Sequence, residues 1–149
     1  MPLSPVHVSQ SFFVGNVLSG FSPTDNTDHY LIFGGNATNT SVSAIGPSIP
    51  GVRRTGTITD VHLSLFVAGT NGTAETGSAF LWANGANVAT IANNTVEWDN
   101  GATVQNYSIT GQTIVIPADS YFTVKIDPPT WVTNPTNVFY WAHIIMVFP

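Results

Sequence analysis

The residues that most constrain this chain are Val138 to Phe148, a run whose apolar side chains fall on both faces of an extended strand. Val138, Tyr140, Ala142, Ile144, Met146 and Phe148 take one side. Phe139, Trp141, Ile145 and Val147 take the other, with His143 the one strongly polar member. An antiparallel strand of a one-domain β protein normally packs one face on the core and shows the other to water. A strand that is greasy on both faces implies one face in its own core and one against a neighbouring chain. Burial of both faces under the chain's own loops is the competing account.

Composition narrows the classes. At 149 residues the chain is long enough to bury a core of its own. Only 7% of residues are charged, so Asn, Thr, Ser and Gly must keep the surface hydrated. Such surfaces repel each other weakly, which suits protein–protein contact. Eight carboxylates against Arg53, Arg54 and Lys125 give a net charge of −5. Three cations cannot form the basic footprint that nucleic-acid binding requires. There is no cysteine, hence no disulfide frame and no thiolate metal site.

The opening residues, MPLSPVHVSQSFFVGN, lack the cation and apolar run of a signal peptide. No stretch approaches the roughly 18 apolar residues of a membrane span. Asn-x-Ser/Thr recurs at Asn36, Asn39, Asn71, Asn93 and Asn106, as expected by chance from an Asn/Thr-rich composition.

No amphipathic helical period is sustained, whereas β-branched residues and turn formers abound. Strands are expected at Gly56 to Ala68, Ser78 to Trp82, Asn87 to Ile91, Val104 to Ile109, Gln112 to Ile116, Tyr121 to Asp127 and Val138 to Phe148. Asn71-Gly72 and Asn84-Gly85 are turn signals between them. Short strands with turns every roughly 8–12 residues predict an all-β fold, an antiparallel β-sandwich or jelly roll. Residues 1–55 differ, being broken by Pro2, Pro5, Pro23, Pro47 and Pro50. They predict an extended N-terminal arm with first strands at Ser11 to Val14 and Tyr30 to Phe33, leading into a jelly-roll domain over 56–149. The two parts form a single structural unit.

Residues 57–149 resemble the small jelly-roll modules of tailed-bacteriophage virion proteins, which occur as capsid decoration (cement) proteins, head fibres and tail-fibre tips. The resemblance is carried by LSLFVAGTNGTAETGSAFLWANGANVAT, QTIVIPADSYFTVKI, PPTWVTNPTN and the closing apolar strand. Ala118-Asp119 stands where such modules enter a strand through Gly-Asp. Modules of this kind are commonly trimers. The resemblance implies a virion structural protein, made in the host cytoplasm, that sits on the outer capsid surface and stabilises the shell. Its partners would be two further copies and the major capsid protein. A receptor-binding tip or head-fibre module gripping host surface polysaccharide is the alternative.

Candidate residues follow from these readings. Phe66, Phe80, Trp82, Phe139, Trp141 and Ile145 are candidates for a trimer interface, provided their faces align. Val6, Phe12 and Phe13 in the arm are candidates for capsid docking. So are Arg53 and Arg54 where the arm enters the jelly roll, although those arginines could equally pair with Asp60 or Asp127. Trp98, Tyr107 and Trp131 could stack on sugar; Trp131 could as well plug the end of the barrel.

Catalytic and metal patterns are weak. The segment TDNTDH brings Asp25, Asp28 and His29 together but lacks the alternating oxygen ligands of a calcium loop, and reads as a turn and solvated loop. His7, His29, His62 and His143 form no HExxH or i, i+4 pair. A three-His site on a trimer axis is conceivable for His62 or His143, beside the simpler reading of interface histidines. No GxSxG elbow is present. Of Glu75, Glu97, Asp99 and Asp119, only Glu97 and Asp99 share a strand face as a carboxylate pair for glycoside hydrolysis, and a turn explains them equally. The chain is expected to be no enzyme and to need no cofactor.

Overall fold

The computed structural model describes residues 8–21, 26–31, 38–39, 53–68, 75–97, 104–130, 132, 135 and 137–149. All of its regular elements are strands. They are β1 (Val8–Phe21), β2 (His29–Leu31), β3 (Thr38–Asn39), β4 (Gly56–Ala68), β5 (Thr76–Ala83), β6 (Ala86–Glu97), β7 (Val104–Ile109), β8 (Ile114–Ile116), β9 (Phe122–Asp127) and β10 (Asn137–Phe148). They make two five-stranded sheets. The first runs β1-β10-β4-β7, with β8 also on β4; the second runs β3-β2-β9-β5-β6.

Pairing is antiparallel and nested. β1 pairs with β10, β2 with β9, β4 with β7 and β8, and β5 with β6. The chain is thus one long hairpin rolled into two layers, the jelly roll. Its tip is Asn84-Gly85, where φ values of 47° and 93° give the left-handed pair that an Asn-Gly hairpin turn demands. The Asn84 amide group locks this tip to the strand entry opposite. Its Nδ2 donates to Ser120 Oγ (2.8 Å), and its Oδ1 accepts the Tyr121 N–H (3.2 Å).

Alternation along the strands builds the core. Val61, Leu63, Leu65 and Val67 of β4 point inward beside Val138, Tyr140, Ala142, Ile144, Met146 and Phe148 of β10. They meet Leu31, Ala79, Leu81, Phe122, Val124 and Ile126 of the second sheet. Gly56 opens β4 because no side chain fits there. A Cβ would lie 2.7 Å from Met146 Sδ and 2.9 Å from a Phe148 ring carbon.

Three local readings change. The second of the two strands expected over 104–116 is shorter, Ile114–Ile116, because Gly111 (φ 64°) loops out and Gln112 N–H bonds the Thr59 carbonyl at 2.8 Å; both strands lie along β4. Over Val8–Phe21 the segment expected as an arm supplies an edge strand, with Phe12 opposite Ile144 and Phe13 opposite His143. His29, expected in a solvated loop, is buried in β2. The expected turn at Asn71-Gly72 lies outside the described residues.

Candidate functional site

β10 lies between β1 and β4, so its second face is the middle of the first sheet's outer surface. Antiparallel register sets that surface. Phe139 stands opposite Phe66, Trp141 opposite Ser64, His143 opposite His62, and Val147 opposite Thr57. β7 and β8 extend the strip, with Val104 opposite Phe66, Asn106 opposite Ser64, Ser108 opposite His62 and Val115 opposite Thr57. The rings of Phe66 and Phe139 stand 6.0 Å apart, and Trp141 stacks on His143 at 6.4 Å. Trp141 is 42% exposed and Val104 55%. A shallow hollow of about 240 Å³ opens between Phe66, Val104, Phe139 and Trp141. A second, of about 280 Å³, lies between Trp141, His62, His143 and Asn106. Ser64 Oγ donates to Asn106 Oδ1 at 2.6 Å, so these two polar groups of the strip are tied to each other.

The six interface candidates therefore divide. Phe66, Phe139, Trp141 and Ile145 share this outer face. Phe80 and Trp82 lie on the outer face of the opposite sheet, where they pair with Lys125 and Thr123 of β9. Trp82 is only 3% exposed, packed against Tyr30 (5.0 Å) and Tyr121 (5.6 Å). It is spent on the chain's own packing. Phe80 lies under the Lys125 ammonium at 5.3 Å. One subunit surface cannot hold all six.

Among the docking candidates, Arg53 and Arg54 are exposed at the entrance to β4. Arg54 bonds within the chain to neither Asp60 nor Asp127. Its guanidinium donates to the Pro149 carbonyl at 2.8 Å and lies 6.0 Å over the Phe148 ring. Asp60 instead accepts the Gly111 N–H at 3.3 Å. Phe12 and Phe13 belong to β1; Val6 lies outside the described residues.

Of the sugar-binding candidates, Tyr107 turns inward. Its ring packs against the core and its hydroxyl donates to Gln105 Oε1 at 2.5 Å. It offers no stacking platform. Trp98 and Trp131 lie outside the described residues, as does Asp99. Glu75 is buried with its carboxylate accepting the Val132 N–H, and Asp119 is a left-handed turn residue (φ 61°). Each has a structural task.

The second sheet holds a charged cluster that sequence reading did not find. Lys125 Nζ pairs with Asp28 Oδ1 at 3.0 Å, and Tyr30 Oη donates to Asp28 Oδ2 at 3.4 Å. Burial, and then the neighbouring Asp28 carboxylate, push the Asp127 carboxyl above its usual range, while Lys125 opposes the rise. Burial pulls His29 down to about 4, with Asp28 acting weakly the other way. The TDNTDH segment marks Asp28 and His29 as a local group, but nothing in the sequence pairs them with Lys125, which lies on the polar face of a distant alternating strand.

His29 yields a pH prediction. The buried imidazole resists protonation, whereas in the unfolded chain it titrates near the ordinary value of about 6.5. Between those two values the unfolded state binds more protons, so stability falls as pH drops through this window. The loss attributable to His29 is on the order of 3 kcal/mol. Asp127 works in the opposite sense, since its folded state holds a proton more tightly. Urea melts of wild type and His29→Gln at a series of pH values isolate the imidazole. The variant's stability should fall less between about pH 6.5 and 4; parallel curves would remove His29 as the cause.

The sequence matches no protein-family model and no curated protein. Solved structures are similar in fold. A chain of the cyanophage Pam1 capsid asymmetric unit superposes with a TM-score of 0.59 at 12% identity, over 100% of this chain and 94% of that one. A chain of infectious bursal disease virus, Gx strain, superposes with a TM-score of 0.55 at 12% identity, over 97% of this chain and 33% of that one. The fold is the antiparallel jelly roll that these viral chains also have.

Proposed function

We propose that the protein is a bacteriophage virion structural protein, a capsid decoration (cement) protein that binds the outer shell as a homotrimer. The observation that carries this reading is the outer face of β10 and its neighbours, where Phe66, Phe139, Trp141, Ile145 and Val147 are grouped among mostly uncharged polar side chains. From Phe139 to Val147 the strip is about 30 Å long and, over three strands, about 14 Å wide. Its footprint of roughly 400 Å² groups the exposed Val104, Val115 and Trp141 with half-buried Phe66 and Phe139, and exposed apolar groups clustered in this way commonly mark an interaction site.

A second copy of the chain suits it best. Among the described residues of the strip the charged side chain is Asp60, which is turned to the Gly111 amide. A chain of net charge −5 can bring this face to its own copy without setting like charges together. The likeness to a phage-capsid chain over almost the full length of both adds support for a place on the shell. Three copies would then present three footprints to the major capsid protein at high effective concentration, bridging capsid subunits mechanically. No step of this role needs catalysis or a cofactor.

The copy number in purified virions, measured by gel densitometry against the major capsid protein, tests the proposal. Hundreds of copies are expected. A handful would place the chain at the tail or a vertex and favour a receptor-binding tip or head fibre. Absence from the particle overturns the virion role.

A further inference from the structure

We propose that His62 and His143 form a two-imidazole chelating site for a divalent transition-metal ion, with Zn²⁺ the expected physiological class. The inference does not rest on the virion reading. His62 in β4 and His143 in β10 are direct cross-strand partners in the antiparallel register. Directly opposed residues hold their Cβ atoms about 5 Å apart on one face. The two rings have centroids 6.0 Å apart and planes 32° from each other. Two imidazoles bound to one tetrahedral ion at Zn–N of about 2.1 Å have centroids about 5 Å apart. The spacing differs from this by about 1 Å; His143 Nε2 is buried, so rotation about χ1 and χ2 is what would aim one nitrogen of each ring at a common ion.

The surroundings favour a cation of this kind. The rings border the 280 Å³ hollow, whose wall also carries Ser64, Asn106 and Ser108. There is therefore room for the ion and for waters to complete four-coordination. Imidazole nitrogen suits Zn²⁺, Ni²⁺ and Cu²⁺, whereas Ca²⁺ and Mg²⁺ take oxygen ligands. Among the described residues no lysine or arginine is placed to repel a metal. Arg53 and Arg54 stand at the entrance to β4, Arg54 against Phe148, while Lys125 belongs to the other sheet and pairs with Asp28. Among the described residues no three His, Cys, Asp or Glu side chains converge, so the site is a two-ligand chelate with open positions rather than a closed structural site. Strand pairing holds the second imidazole in place beforehand, so it binds at high effective concentration.

The test is calorimetric titration of ZnCl₂ into the purified, chelator-treated protein, with MgCl₂ as the control metal. One site per chain with micromolar affinity is expected for Zn²⁺, and none for Mg²⁺. His62→Asn and His143→Asn should each weaken Zn²⁺ binding by about a hundredfold, because either leaves a single imidazole. A readout in wild type needs no variant to fold: Zn²⁺ should shift the NMR signals of two imidazoles and leave buried His29 unchanged.

The pair lies on the face proposed for self-association, so the titration is run on wild type and on Phe139→Asp. Binding in either form that requires both histidines supports the site. No saturable binding in both forms overturns it, as does binding that persists in the double Asn variant. Neither result bears on whether the chain is found in virions.

Discussion

Phe122→Ala is expected to lower stability by about 3–5 kcal/mol, read as a fall in the urea midpoint with the slope preserved. Phe122 is among the largest side chains that are fully buried. It opens β9 opposite Ala83, the last residue of β5 before the Asn84-Gly85 turn. The ring thus fills the core beneath the tip of the rolled hairpin, one residue beyond the Tyr121 amide that Asn84 holds. Backbone pairing leaves the cavity little freedom to collapse, which puts the cost in the upper part of the range for aromatic truncation. A domain of this size has about 5–15 kcal/mol in all, so a large share of folded stability is at stake. Val88→Ala, on an exposed β6 side chain of the other sheet, is the control and should change stability by no more than about 0.5 kcal/mol. A loss of under about 1 kcal/mol at Phe122 would mean that this end of the sandwich is not packed as described.

Much of the first sheet was legible because its strands alternate, with one break in β4 at Thr59-Asp60. Gly56–Ala68 and Val104–Ile109 have the bounds that periodicity gives, and the apolar second face of β10 is on the outside, as its sequence implies. The second sheet was less legible for a physical reason. β2 has only three residues, too few for a period, and its pairing with β9 joins residues about a hundred positions apart. That long-range pairing buries His29 and brings Asp28 to Lys125. It also places Tyr30 over Trp82, turning a candidate interface tryptophan into an internal one. β1 was under-read because VSQSFFVGNVLSGF lacks alternation beyond its first apolar piece; β10, not local pattern, makes it a strand. Local sequence records which face of a strand is apolar. It does not record which distant strand will cover that face, and this is why Phe80 and Trp82 were grouped with Phe139 and Trp141.

That division makes the outer face separable from the fold, and the largest effect on assembly is expected there. Phe139→Asp and Trp141→Asp should each convert a homotrimer to a monomer, read as a threefold fall in mass by light scattering or sedimentation. Both side chains point away from the core, half-buried and exposed respectively, so the folded monomer can hydrate a new carboxylate. In a closed assembly the same carboxylate would be desolvated on an apolar face without a partner, at a cost of several kcal/mol. Truncating an aromatic anchor at the centre of an interface alone commonly costs about 2 kcal/mol or more. Symmetry repeats the penalty in every subunit, so one substitution acts three times. Melting temperature and the circular dichroism spectrum measured under monomeric conditions should stay close to wild type, whereas Tyr140→Asp, one residue away on the inward face, should unfold the chain. Unchanged mass in both outward variants would move the subunit contact off the β10 face. A wild type that sediments as a single chain at tens of micromolar would remove the homotrimer itself.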